Sequence, residues 1–364
     1  MTIRSLLATW ALAWGVLQAA EKVVGGPVAV NVGPRRATIT WVVETSDAKL
    51  GKAPDKLDKS APVLRFQKVT FTGLEAGTTY YYDVLGRPEG QGRFKTPPVG
   101  QAPFQFVAFG DTRSRHDVHK RVVKAIIQAA PDFVLHTGDL VADGEDTALW
   151  TVFFSIEKEL LNKAAFFPVP GNHERGSRLY YDAFDQRLPY YSFDWGSAHF
   201  TLLNTDLRNV SPSQAVREAF WNEQWRWLEA DLAAAQKADL RFAVMHHPMI
   251  TAVRSRQKAT DAVSPLMSVF EKYKVHAVFA GHDHNYQRHV KNGVQYIVTG
   301  GGGAPLYPVD APIPGVTQKV ESVDNLVKVK VEGGKAVLEA VRPDGSLIER
   351  FQAPWTSPAR KAGR

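Results

Sequence analysis

Cysteine is absent from all 364 residues. That excludes disulfides, thiolate metal sites and the lipid attachment of a lipoprotein leader. Long apolar runs are scarce too. Leu6 to Leu17 is free of charge, but it is too short to span a bilayer comfortably, and Glu21 and Lys22 follow closely. A concentrated basic face is also missing. The formal charge is +7, but Arg4, Arg360, Lys361 and Arg364 lie in the terminal segments, and removing those four leaves +3. Nucleic-acid binding needs a basic patch, so no nucleic-acid scaffold role is expected, only a mild preference for anionic substrates. Arg4, the apolar run and the small residues Ala19 and Ala20 make residues 1–20 read as a signal peptide, with an uncleaved anchor as the alternative; cleavage would place the mature chain in a bacterial periplasm or the medium, with no stable membrane span. Residues 355–364 read as a disordered basic tail.

What is present divides in two. In residues 22–98, Val28–Val32 and Ala37–Val43 alternate apolar and polar residues around Gly33-Pro34, and Val63–Phe71 and Tyr80–Leu85 continue the pattern. Short alternating strands with regular turns and no helical period predict an all-β sandwich. This part has no histidine, so it reads as a packing and positioning module. Pro97-Pro98-Val99-Gly100 is a short, stiff linker.

Residues 103–353 repeat one grammar: an apolar strand, a polar residue fit to hold a metal, then usually a helix. Phe104–Phe109 runs into Gly110-Asp111, and Phe133–His136 into Gly138-Asp139. Phe166–Val169 runs into Gly171-Asn172-His173-Glu174, Arg241–Met245 into His246, and Val275–Ala280 into Gly281-His282-Asp283-His284. Ligands of α/β sheets collect at the carboxyl ends of strands, so these loops are expected to converge. Helices are expected near 117–129, 147–162, 219–235 and 264–272. His282 and His284, two apart on an extended turn, suit two metals side by side better than one.

In order and residue type, these five blocks resemble the signature of the calcineurin-like metallophosphoesterases. The preceding sandwich, His173-Glu174 and the stretch from Gly281 to Arg288 are most similar to the purple acid phosphatase branch. Leu74–Tyr82 and Phe94–Pro97 resemble segments of fibronectin type III domains. The resemblance implies a fibronectin III-like sandwich followed by a four-layer α/β domain, two mixed sheets flanked by helices. It also implies two metal ions (zinc, iron or manganese) about 3.5–4 Å apart, with a bridging hydroxide that attacks phosphorus. Asp139 would bridge, Asn172, His246 and His282 would complete one metal, and Asp111 and His284 would hold the other. His173 would stabilise or protonate the leaving oxygen.

Two positions depart from that pattern. Many members carry Asp-x-His in the first block, where this chain has Asp111-Thr112-Arg113. The purple branch has an iron-binding tyrosine where this chain has Ala142, so no purple charge-transfer band is expected. The first metal keeps Asp111, Asp139 and His284, with room for water or a further ligand such as His116 or Asp143. Arg113 and Arg175 are read as phosphate-binding, because a guanidinium fork grips phosphate bidentately. His247 reads as structural and His136 is open, while His199, His276 and His289 lie away from the strand-end loops and read as structural. The expected function is hydrolysis of a small phosphate monoester. The alternatives are a phosphodiesterase, or a degenerate phosphate-binding or surface-interaction protein. Oligomeric state is not legible.

Overall fold

The computed structural model describes residues 22–354; the expected signal peptide and basic tail lie outside them. Five strands come first: β1 (Lys22–Gly33), β2 (Arg36–Leu50), β3 (Lys59–Thr72), β4 (Thr79–Asp83) and β5 (Gln91–Lys95). The first three form an antiparallel sheet and the last two a hairpin. Side chains alternate between the faces of a strand, so Val28 and Val30 of β1 point one way and Ala29 the other. Val28 and Val30 join Trp150 and Phe154 in one apolar cluster, while Ala29 joins Phe104 and Phe167 in another. At Asn31 the backbone turns left-handed (φ 49) and the register slips, which sends Val32 to Ala29's side. Both faces of β1 are therefore buried against the rest of the chain.

The remainder runs β6 (Phe104–Phe109), α1 (His116–Ala129), β7 (Phe133–His136), α2 (Thr147–Leu161), β8 (Ala165–Pro168), α3 (Arg178–Ala183), β9 (Tyr191–Trp195) and β10 (Ala198–Leu202). There follow α4 (Gln214–Ala234), β11 (Leu240–Val244), α5 (Leu266–Lys272) and β12 (Ala277–Ala280). The chain closes with β13 (Tyr286–Lys291), β14 (Val294–Thr299), β15 (Thr317–Glu321), β16 (Leu326–Glu332), β17 (Lys335–Val341) and β18 (Leu347–Ala353). One mixed sheet has the order β18-β17-β16-β6-β7-β8, and the other β15-β13-β14-β12-β11-β10-β9. Strands β6, β7 and β8 are parallel, as are β10, β11, β12 and β14.

The two sheets face each other across a phenylalanine core. The Phe106 ring meets Phe200, Phe242 and Phe279 edge-on at 5.3, 5.7 and 5.9 Å, and Phe133 meets Phe200 at 5.3 Å. Edge-to-face contact at these separations is the favoured arrangement of aromatic quadrupoles. On the outer faces, Val107, Phe109 and Val134 pack against α1 and α2, and Ala243, Met245 and Val278 against α4 and α5. The layers are thus helices, sheet, sheet and helices, as expected. Two elements had no signal. Helix α3 is a six-residue turn capped by the Ser177 hydroxyl, too short to show a helical period. Strand β15 follows a proline-rich loop and is made by its pairing with β13. In α4 the tryptophans Trp221, Trp225 and Trp227 are only half-buried, and Leu228, Leu232 and Gln224 face inward.

Candidate metal centre

The ends of β6, β7, β8, β11 and β12 come together between the sheets. His246 Nε2 is the point of closest approach: Asn172 Oδ1 lies at 3.1 Å, His282 Nδ1 at 3.2 Å and Asp139 Oδ1 at 3.3 Å. His282 N–H donates to both oxygens of Asp111 at 3.1 and 3.0 Å, and His284 Nε2 lies 3.4 Å from Asp111 Oδ1. All six residues named as metal ligands from sequence therefore share one pocket. Asp111, Asp139 and His282 hold left-handed backbone conformations (φ 59, 57 and 67), which are uncommon for non-glycine residues and most tolerated by asparagine, aspartate and histidine. Glycines make the approach possible. A side chain at Gly171 would strike Asp139 Oδ1, and one at Gly281 would strike Asp111 Oδ2.

Backbone carbonyls fix the imidazoles. A carbonyl only accepts, so the facing ring nitrogen must donate. His246 Nδ1–H donates to Thr137 O (2.8 Å), His284 Nδ1–H to Pro305 O (2.6 Å) and His173 Nδ1–H to Ala142 O (2.7 Å). Each ring then turns its Nε2 into the pocket, the arrangement that orients metal-bound histidines. Burial, helped by neighbouring histidines, keeps His282 well below the usual histidine range, and burial pushes His284 down to about 4. Both are neutral bases at pH 7. Burial drives Asp111 well above the carboxylate range. For Asp139 burial acts in the same sense, but His246, His173 and Arg113 outweigh it and hold its carboxyl low.

Several supporting residues carried no assigned role in the sequence. Glu174, fully buried, accepts from Gly171 N (2.6 Å), Asp139 N (2.9 Å) and Leu140 N (2.8 Å), so one carboxylate ties the β7 and β8 loops together. Burial, with the Asp139 charge beside it, pushes Glu174 up to about 8. Arg256 covers the Tyr307 ring at 4.4 Å and donates to its hydroxyl (2.9 Å), with its Nε 3.5 Å from Asp283. Tyr307 in turn stacks on His284 at 4.4 Å. The proline-rich segment after Ala304 is thus a wall of the pocket, while Arg256 sits in a polar run with nothing to mark it. His247, read as structural, lies beside His282 with ring centres 4.3 Å apart, and bonds Thr205.

Other expected contacts fall elsewhere. Arg175 pairs with Asp143 at 2.9 Å and is half exposed, so each occupies the other rather than the donor cluster. Arg113 faces the cluster, its Nε 3.5 Å from Asp139 Oδ2. Among the described residues, two groups bring three carboxylate or imidazole donors within 4.8 Å: Asp111, Asp139 and His246, and His246, His247 and His282. Neither contains His284, His116 or Asp143. The insertion at 175–220 borders a cleft of about 320 Å³, whose polar end, Asp206 and Asn209, abuts Asn172 through an Asn209–Asn172 hydrogen bond of 3.1 Å.

Comparison with known proteins agrees with this arrangement. The family profile of the Calcineurin-like phosphoesterase matches residues 104–286, which contain every strand-end loop of the pocket. Purple acid phosphatase 21 of Arabidopsis thaliana is 27% identical over 298 residues, covering 71% of this chain and 65% of its own length. A purple acid phosphatase of Glycine max is 27% identical over 276 residues, covering 67% and 57% respectively. The chain thus spans between about half and two thirds of the length of these relatives. In fold it resembles the purple acid phosphatase PPD1 from yellow lupin seeds, with a TM-score of 0.70 and 18% identity over 90% of this chain and 73% of that one. With its five blocks in order and their side chains meeting where the two sheets end, the chain belongs to the calcineurin-like phosphoesterase family and is homologous to purple acid phosphatases.

Proposed function

We propose that the protein is an exported, metal-dependent phosphatase that hydrolyses small phosphate monoesters. The observation that carries this is the approach of Asp139 Oδ1, Asn172 Oδ1 and His282 Nδ1 to His246 Nε2, all within 3.1–3.3 Å. One carboxylate, one amide oxygen and two imidazole nitrogens that converge this closely form a donor set for zinc, manganese or iron, and a poor packing arrangement without a cation. A metal held there supplies Lewis acidity toward a phosphoryl oxygen and toward water. The chain supplies the rest. His173, its Nδ1–H fixed by Ala142, holds Nε2 3.8 Å from Asp139 Oδ2, placed to give a proton to the departing oxygen. Arg113 and Arg256 bring two permanent positive charges to the histidine cluster. Two fixed cations suit the dianionic phosphoryl group of a monoester better than the single charge of a diester.

The test is turnover of an aryl phosphate monoester and the matching diester by metal-supplemented protein, with metal content measured alongside. Monoester turnover that disappears on chelation supports the proposal. Diester preference would replace it with a phosphodiesterase, and phosphate binding without turnover under any divalent ion would replace it with a binding protein. Export rests on the residue pattern of 1–20 alone, and is checked by sequencing the amino terminus of the secreted protein. For residues 22–98 a fibronectin III-like module is supported by the Tyr80 hydroxyl, which accepts from Glu75 N at 2.8 Å as in a tyrosine corner.

A further inference from the structure

We infer that this chain holds one metal ion rather than two, and that the guanidinium of Arg113 stands in for the second. The inference rests on the metallophosphoesterase reading of the pocket, and sharpens it. The six expected ligands do not divide evenly. Around His246 Nε2 three further donors lie within 3.3 Å, close enough for one ion to draw them in. On the other side His284 Nε2 approaches Asp111 Oδ1 at 3.4 Å, but among the described residues no group of three clustered donors includes His284.

A guanidinium already stands beside the carboxylate that the family pattern would share between two ions. Asp139 Oδ2 faces Arg113 Nε at 3.5 Å, and that Nε–H is buried and makes no hydrogen bond among the described residues. The main chain keeps it there, since Arg113 N–H donates to Asp139 O at 3.4 Å. A guanidinium stays protonated at any pH the protein experiences, so this charge cannot be removed to admit a cation. Of the further ligands the sequence offered, His116 joins no group of three clustered donors among the described residues. Position 113 carries arginine where many family members have histidine, position 142 carries alanine where the purple branch has tyrosine, and Asp143 is paired with Arg175 at 2.9 Å. Arg113 thus offsets the charge of Asp139, as a second ion would, and presents donors to a phosphoryl oxygen from the same side.

The measurement is metal stoichiometry of the full chain, by elemental analysis and by calorimetric titration with Mn²⁺. Wild type is expected to bind one equivalent, with the electron paramagnetic resonance of isolated Mn²⁺. Arg113→His, and more strongly Arg113→His with Ala142→Tyr, should bind two and show the signal of a coupled pair. A cavity of about 110 Å³ between Arg113 and Ala142 gives the added ring space. Arg113→Lys keeps the charge and should stay at one. Two equivalents in wild type would overturn the inference and leave the phosphatase proposal standing. No binding in wild type under any divalent ion would overturn both. Because wild type alone decides, a variant that misfolds does not rescue the idea.

Discussion

Two histidine sites in this molecule show how one side chain is put to opposite uses. His199 on β10 lies between two carboxylates, with Nδ1 2.7 Å from Asp194 and Nε2 2.9 Å from Asp231 of α4. Burial pulls its pKa down, but the two hydrogen-bonded aspartates outweigh it and lift the ring to about 9. It is an imidazolium that clamps a helix to a sheet edge. His282 is comparably buried, and there burial prevails, reinforced by His246, His247 and Arg256, so the ring sheds its proton. The surroundings decide which ring carries charge and which offers a lone pair.

The comparison is most easily broken at His246. His246→Ala should lose more than about 100-fold in metal affinity, and with it measurable turnover, while the thermal midpoint changes little once metal is absent from both proteins. Intact turnover would mean that the lone-pair cluster is not the working site. His173→Ala should lower kcat by about 10²–10⁴-fold at unchanged metal content, measured on a monoester with a poor leaving group. His199→Ala should do the reverse. Stability should fall by about 3 kcal/mol in denaturant titrations, with kcat/KM per folded molecule unchanged.

The clamp also has a pH signature. Its folded pKa lies above the unfolded value of 6.5, so its stabilisation is complete below pH 6.5 and is lost as pH rises through about 9. Wild type and His199→Ala should therefore differ most at pH 6 and converge near pH 10. A gap that widened with pH would reverse the assignment. The smallest effect is expected at Arg175, which is half exposed and paired with Asp143; Arg175→Ala should change kcat/KM by less than about threefold.

The parts of this design written in contiguous residues were legible in the sequence. Strand ends such as Phe109-Gly110-Asp111 announce themselves by an apolar run that stops at glycine, and the structure places all six expected ligands in one pocket. The parts that depend on three-dimensional adjacency were not. Glu174 stood inside a quoted motif, but its work is done on the backbone of residues 139, 140 and 171, which no spacing rule reveals. Arg256 and Tyr307 meet only because two loops fold over His284. Arg113 could be read as a phosphate grip, but its place 3.5 Å from Asp139 Oδ2 is set by two loops meeting, which no local pattern reveals. Asp143 is held by Arg175, a pairing across two loops that sequence spacing does not reveal.

Strand β1 has a consequence for how the molecule comes apart. Its Val28 and Val30 lie against Trp150 and Phe154 of α2, and an added side chain at Gly25 would collide with the Phe154 ring. Tyr82 donates to Pro27 O at 3.2 Å, and Arg93 N–H to Asn162 O at 2.8 Å. The amino-terminal strands are thus stitched to the wall behind the pocket rather than tethered to it. Heating should melt both regions in one cooperative transition, and deleting the first strands should bare an oily flank of α2 and leave an insoluble remainder instead of a smaller working enzyme.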